Sequence, residues 1–214
     1  MEIDLLVDYP KVKRDVFARR QENKELIEAA KSFGWEYFDR KVPKVCYGGY
    51  IYDGRWIPVV KRFIEHFKIE DNEKILDLGC AKGYMLYDFK QANPTLNVYG
   101  IDISEYAINC CPPEIHAIIG NAKDLSYIKN DYFDLVISIN TIHNLPEKDC
   151  RKAVREIQRV GKKAFITVDA YSNEEEKERM LAWNTTAETI HSVEEWKQLF
   201  KEENYTGDYF WFIP

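Results

Sequence analysis

The sequence lacks the features that would place it outside ordinary globular proteins. Its five cysteines are odd in number and form no C-x-x-C pair, so neither a disulfide framework nor a metal site is predicted. No stretch approaches the roughly 20 apolar residues that span a bilayer. The first residues, MEIDLLVDYP, lack the basic start of a signal peptide. We expect reduced thiols, a cytoplasmic location and no membrane contact.

Positive charge is also scarce. There are 30 Lys and Arg against 36 Asp and Glu, which gives a net charge of -6. A surface that binds along a phosphate backbone needs an excess of positive charge, so general nucleic-acid binding is disfavoured. The net charge does not exclude a local basic patch. Aromatic residues, in contrast, reach 14% of the 214 residues. This length and composition predict one soluble globular domain.

The first 56 residues differ in pattern from the rest. Apolar positions at three- and four-residue steps over 11–34 predict an amphipathic helix that ends at Gly34 and either packs on the core or lies beside a substrate cleft. Residues 43–56 read PKVCYGGYIYDGRW, which predicts either a hairpin or an aromatic substrate lid. We therefore divide the chain into an N-terminal helix and lid segment, 1–56, and a core, 57–214. The candidate substrate-binding residues of the lid are Tyr47, Tyr50, Tyr52, Arg55 and Trp56.

From Lys74 onward, short apolar runs alternate with helix-length segments. The runs predicted to be strands are 74–80, 97–103, 115–120, 134–140 and 163–169. Apolar strands without polar alternation are typical of a parallel sheet that is covered on both faces. Right-handed crossovers then give an α/β fold: a Rossmann-like, doubly wound, mostly parallel sheet in a three-layer α/β/α domain.

The loop after the first strand reads DLGCAKG over residues 77–83. A dinucleotide loop would have glycine where this chain has Ala81 and Tyr84, and the P-loop pattern fails as well. What remains is D-x-G-x-x-x-G with a second acid, Asp102, at the end of the next strand. A carboxylate at that position can accept both hydroxyls of a ribose.

This pairing resembles class I S-adenosylmethionine-dependent methyltransferases over about residues 55 to 170. More loosely, the chain resembles small bacterial methyltransferases associated with carbohydrate modification. The resemblance implies S-adenosyl-L-methionine as cofactor and S-adenosyl-L-homocysteine as product. It also implies that Asp77 lies near the methionine ammonium group and that Asp102 holds the ribose. The implied cofactor-binding residues are Asp77, Gly79, Cys80, Ala81, Gly83, Asp102, Ile103, Asn121, Ala122 and Asn140.

A hydroxyl acceptor also needs a group that takes its proton. His143, after the fourth strand, is a candidate base or a packed histidine, and Asp169, at the end of the fifth, is a candidate base or substrate ligand. Tyr171 is a candidate substrate contact beside it. The sequence thus favours in-line methyl transfer to oxygen of a small hydroxylated, sugar-like or nucleotide-linked molecule, by a monomer or homodimer. A macromolecular acceptor and a non-catalytic, cofactor-binding partner protein are the alternatives.

Overall fold

The computed structural model describes residues 1–10, 16, 24–41 and 46–213. The helix predicted over 11–34 lies partly outside these residues, and its predicted end at Gly34 is wrong. Helix α1 (Lys24–Ala30) ends earlier, and a short helix α2 (Trp35–Phe38) begins after Gly34. The break follows from Phe33, whose φ of 52° lies in the left-handed region, where a helix cannot continue.

Seven strands form one sheet, and every pairing between them is parallel. The strands are β1 (Lys74–Leu78), β2 (Asn97–Asp102), β3 (His116–Ile119), β4 (Leu135–Ile139), β5 (Ala164–Tyr171), β6 (His191–Ser192) and β7 (Asp208–Phe212). Their spatial order is β3-β2-β1-β4-β5, with β6 and β7 both beside β5. This architecture confirms the predicted doubly wound fold.

Helices cover both faces of the sheet. The remaining helices are α3 (Ile57–Phe67), α4 (Tyr84–Ala92), α5 (Glu105–Asn109), α6 (Glu147–Val160), α7 (Glu174–Trp183) and α8 (Val193–Glu202). Successive side chains of β1 point to opposite faces: Ile75 packs with α3 and α4, whereas Leu76 and Leu78 pack with α6 and α8. The result is a three-layer domain with an apolar core on each side of the sheet.

No helix in the described ranges is both long and apolar enough to cross a membrane. The first residues of the chain extend the sheet edge instead. Ile3 donates its N–H to the Tyr209 carbonyl at 3.0 Å, and Tyr209 donates to the Met1 carbonyl at the same distance. Leu5, 2% exposed, packs in the apolar cluster of α3 and α4. The described start of the chain is therefore part of the core domain's packing.

The strand order reverses between β1 and β4, because β2 and β3 lie on one side of β1 and β4 and β5 on the other. In open α/β sheets, ligands bind outside the carboxyl ends of the strands at such a reversal. The loops that follow β1 and β4 meet there. A Cβ atom placed on Gly79 would stand 2.1 Å from Thr141 Oγ1, so the two loops are in close contact.

Candidate active site

The loop between β1 and α4 is held in an unusual backbone shape. Gly79, Ala81 and Gly83 all have left-handed φ values, of 88°, 50° and 71°. Gly79 N–H donates to the Ile101 carbonyl at 2.7 Å, which folds the loop against β2. Gly79 is required twice over, since its φ disfavours a side chain and Thr141 occupies the space of a Cβ.

We expect Gly79→Ala to lower the free energy of unfolding by more than about 2 kcal/mol, because it adds both strain and overlap with Thr141. Urea unfolding measures the loss. Gly34→Ala is the matched control, since the nearest heavy atom to its Cβ would be 3.4 Å away and its φ is −90°. Equal losses for the two variants would contradict the close contact at Gly79.

Two acids lie at the carboxyl ends of β1 and β2. Asp102 accepts hydrogen bonds from the N–H groups of Ala81 and Ser104, each at 2.8 Å, and burial nevertheless raises its pKa. Asp77 is 7% exposed. Burial, and then the charge of Asp102, raise the pKa of Asp77 to about 7. In the described part of the chain, no group is seen to donate a hydrogen bond to the Asp77 carboxylate.

This pair of acids fits the cofactor that the sequence implies. A desolvated carboxylate without a protein donor suits an ammonium group, and a carboxylate fixed by two backbone N–H groups suits ribose hydroxyls. Ile103, next to Asp102, is 55% exposed, which leaves an apolar surface open for a purine ring. The residues of this edge therefore fit S-adenosylmethionine. Asp77, Gly79, Ala81 and Asp102 lie together here, and their contacts with the cofactor stay predictions.

The remaining predicted cofactor residues lie at the same edge, but their side chains have structural partners. Asn121 Oδ1 accepts from Lys123 N–H at 3.2 Å in a turn, and Ala122 packs against the core. Asn140 Oδ1 accepts from the Thr167 hydroxyl at 2.9 Å. Their contacts with a cofactor stay predictions.

We expect Asp102→Ala to weaken S-adenosylmethionine binding by more than about tenfold, because the ribose loses its charged acceptor. Isothermal titration calorimetry measures the affinity, and Glu70→Ala, on the exposed surface, is the control. Thermal melting checks that both variants are folded. Unchanged affinity in a folded Asp102→Ala protein would remove Asp102 from the site.

The predicted catalytic residues, His143 and Asp169, are adjacent and buried. His143 lies in a 3₁₀ turn (Ile142–Asn144) and is 2% exposed, and Asp169, on β5, is 6% exposed. The Asp169 backbone N–H donates to His143 Nδ1 at 3.3 Å, so the ring proton is assigned to Nε2, which lies 3.7 Å from Asp169 Oδ2. Burial lowers the pKa of His143 although the charge of Asp169 opposes it. The imidazole is therefore neutral, and both of its nitrogens face Asp169.

A third side chain, Asn184, fixes the carboxylate. Asn184 Oδ1 accepts from the N–H groups of Thr186 and Ala187, which sets the orientation of the amide. Its Nδ2 consequently donates to Asp169 Oδ2, at 2.5 Å. Sequence reasoning missed Asn184, and its only signal was its place among aromatic and small polar residues after α7.

A buried ion pair joins the N-terminal segment to the loop between β1 and α4. Lys82 is 5% exposed, and its Nζ lies 2.6 Å from Asp39 Oδ2 and 2.9 Å from the Tyr50 carbonyl. The Tyr106 hydroxyl donates to the same carboxylate at 2.5 Å. Burial raises the pKa of Asp39, but the hydrogen bonds from Lys82 and Tyr106 outweigh this and lower it overall. The sequence alone missed this pair, because a lysine is rarely buried.

Aromatic rings of the lid lie over the same edge. The Tyr47 ring packs 5.5 Å from Tyr37 and 4.7 Å from Tyr50, between ring centroids. Burial raises the pKa of Tyr37, and the charges of Tyr47, Asp169 and Asp102 raise it further. The Tyr50 ring lies 5.1 Å from Tyr84 and the Phe38 ring 6.4 Å from Tyr106, between ring centroids. These aromatic residues therefore pack on the first turns of α4 and α5, which follow β1 and β2.

The other predicted substrate residues have partners elsewhere. The Tyr52 hydroxyl donates to Asp88 on α4 at 2.6 Å. Arg55 forms a two-point ion pair with the nearby Asp53, at 2.8 and 2.7 Å. Trp56 Nε1 approaches the Tyr50 hydroxyl at 3.4 Å, and the Tyr171 ring lies 5.4 Å from Lys177 Nζ. The substrate contacts of Tyr52, Arg55, Trp56 and Tyr171 stay predictions.

Comparison with known proteins agrees with this geometry. A family described as a methyltransferase domain matches residues 69–204. The tRNA (carboxymethyluridine(34)-5-O)-methyltransferase of Arabidopsis thaliana is 32% identical over 146 residues, which are 66% of this chain and 34% of that protein. An uncharacterized protein of Methanocaldococcus jannaschii is 29% identical over 140 residues, 64% of this chain and 51% of that protein. The chain thus spans about a third of the length of the Arabidopsis protein and about half of the length of the Methanocaldococcus protein.

Solved structures share the fold. The YcgJ protein of Bacillus subtilis superposes with a TM-score of 0.54 at 21% identity, over 67% of this chain and 66% of its own. A chain of the complex that contains the Trm112 methyltransferase activator of Haloferax volcanii also superposes with a TM-score of 0.54. It is 19% identical, over 67% of this chain and 65% of its own. At these identities the likeness establishes the fold alone.

The doubly wound sheet is the fold of class I S-adenosylmethionine-dependent methyltransferases. The chain belongs to the family of methyltransferase domains, whose match covers more than half of it. That family is described by a transferase activity, the transfer of methyl groups.

Proposed function

We propose that the enzyme transfers a methyl group from S-adenosylmethionine to a hydroxyl oxygen of a small, sugar-like or nucleotide-linked molecule. The observation that carries this proposal is the Asp169 carboxylate, held by Asn184 and faced by neutral His143. A fixed carboxylate beneath an aromatic lid suits an acceptor that must be oriented and must lose a proton. When bound, the cofactor supplies an activated methyl group on a sulfonium.

In this proposal each residue has a separate task. Asp77 neutralises the ammonium end of the cofactor and Asp102 binds its ribose. Asp169 accepts the proton of the acceptor hydroxyl, and His143 positions Asp169 rather than contacting the acceptor. The division into an N-terminal helix and lid segment, 1–56, that packs on a core, 57–214, within a single domain is part of the proposal. It is supported by the Lys82–Asp39 ion pair, which joins the two parts at the cofactor loop.

A second candidate acceptor is a modified uridine in tRNA. It is favoured by the Arabidopsis relative, whose name specifies O-methylation of carboxymethyluridine at position 34 of tRNA. The net charge of -6 favours the small molecule over the polynucleotide. Both candidates place the methyl group on oxygen.

The test supplies methyl-labelled S-adenosylmethionine together with either a deproteinised small-metabolite extract or purified total tRNA. Asp102→Ala is the control for label that does not depend on the cofactor site. Label in a low-mass compound supports the proposed function, and mass spectrometry then identifies the methylated atom. Label confined to tRNA would replace it with the second candidate, and label in neither mixture would contradict both candidates.

A further inference from the structure

Two cysteines meet beneath the cofactor loop. Cys80 lies in the loop after β1 and is 4% exposed, whereas Cys111 follows α5 and is half-buried. Both sulfur atoms lie 3.6 Å from one acceptor, the Ala81 carbonyl oxygen, so the two thiols are neighbours around that oxygen. The described cysteines are all free thiols.

Glycines leave the room that these sulfurs occupy. A Cβ on Gly100 would stand 2.6 Å from Cys80 Sγ, and a Cβ on Gly83 would stand 3.2 Å from Cys111 Sγ. Both thiols are thus packed closely against backbone of the loop and of β2. Their positions in the sequence, 31 residues apart by the difference 111 − 80, gave no sign of this contact.

We propose that Cys80 and Cys111 form an oxidation site, in which hydrogen peroxide converts the two thiols into a disulfide that weakens cofactor binding. This inference rests on the proposed cofactor site. One thiolate attacks a peroxide oxygen, which gives a sulfenic acid and water; the second thiol then attacks that sulfur and a second water leaves. Two thiols are oxidised and one peroxide is reduced.

Cys111 is the residue suited to react first. It is more exposed than Cys80, and the hydrogen bond from Cys80 lowers the pKa of Cys111, although burial opposes this. A thiolate is the reactive form of cysteine. Cys80, buried beside it, then acts as the resolving thiol.

The disulfide acts on the loop through Ala81. In the reduced protein, the Ala81 carbonyl faces both sulfurs and the Ala81 N–H donates to Asp102. Disulfide formation removes the hydrogens of the two sulfurs that face that carbonyl, and the backbone at Ala81 is already in the left-handed region, at 50°. The peptide that orients Asp102 therefore shifts, and the affinity for the cofactor falls.

The test treats the full chain carrying Cys110→Ser with hydrogen peroxide. Cys110 is exposed and adjacent to Cys111, and its removal prevents a disulfide between neighbours. After free thiols are blocked, trypsin places Cys80 in peptide 75–82 and Cys111 in peptide 91–123. We expect these two peptides to be cross-linked in the monomeric protein.

Calorimetry with S-adenosylmethionine is the second measurement. We expect at least tenfold weaker binding after oxidation, full recovery with a reductant, and no response in Cys111→Ser. Absence of the cross-link between peptides 75–82 and 91–123, or a complete cross-link with unchanged affinity, would overturn the proposal. If even the reduced protein bound no cofactor, the cofactor site would be wrong, while the mass measurement would still decide whether the oxidation site exists.

Discussion

Asp77→Asn is expected to stabilise the folded protein at pH 8 and to abolish high-affinity cofactor binding. The carboxyl group has an ordinary pKa of 3.8, and burial beside Asp102 raises it to about 7 in the folded chain. Above pH 7 the group is ionised in both states, so folding then carries the full penalty of a buried charge. That penalty is on the order of 4 kcal/mol, and asparagine removes most of it.

The pH dependence of stability shows whether the raised pKa of Asp77 causes the difference between Asp77→Asn and the wild type. Because the folded state binds the proton more tightly, the contribution of Asp77 to stability falls as pH rises from about 4 to about 7. Thermal melting should therefore show a higher Tm for Asp77→Asn at pH 8, by roughly 5 to 10 °C, and a smaller difference at pH 5. Equal Tm values for the variant and the wild type at pH 8 would mean that burial does not raise the pKa of Asp77.

Asp134→Asn is the matched control, and its expected change in Tm has the opposite sign. Burial raises the pKa of Asp134, but hydrogen bonds from Lys162 and from the Lys74 N–H outweigh this and lower it. The same chemical change should therefore reduce Tm slightly at pH 8. Calorimetry should show that Asp134→Asn binds the cofactor normally while Asp77→Asn does not. Normal binding by Asp77→Asn would separate Asp77 from the ammonium group.

Much of the core could be predicted from the sequence because each of its strands is a single continuous run of apolar residues. Each apolar run of the core lies within one or two residues of an observed strand, as 97–103 does with Asn97–Asp102. A parallel sheet then brings the ends of neighbouring strands to one edge, which places Asp77 near Asp102. Local spacing also explains the start of α8, where Ser192 and Glu195, three residues apart, form a capping box.

The lid could not be predicted in the same way, because its position depends on contacts between distant residues. Lys82 and Asp39 are far apart in sequence and form an ion pair only in the fold. The left-handed backbone at Phe33 prevents the helix from reaching its predicted end, and the Phe33 carbonyl accepts from the Ser104 hydroxyl at 2.5 Å. No periodic pattern in the sequence reports such a pairing.

Asp169→Asn is expected to lower kcat by at least about 100-fold, with little change in cofactor affinity. Asparagine keeps the shape of the side chain and can still accept from Asn184 Nδ2, but it cannot take a proton from an acceptor hydroxyl. His143→Gln should lower kcat less, by about tenfold, because it disturbs only the group that positions Asp169. Both variants should melt as folded proteins.

The measurement needs the acceptor found with labelled S-adenosylmethionine, and it separates kcat from KM. Glu174→Gln, on the exposed first turn of α7, controls for a loss of negative charge near β5. If Asp169→Asn raised KM for the acceptor at unchanged kcat, Asp169 would bind the substrate without moving its proton. If His143→Gln lost more activity than Asp169→Asn, the proton would pass to the imidazole. In that case Nδ1 would have to leave the Asp169 N–H, because in the present arrangement that bond occupies the only free lone pair of the ring.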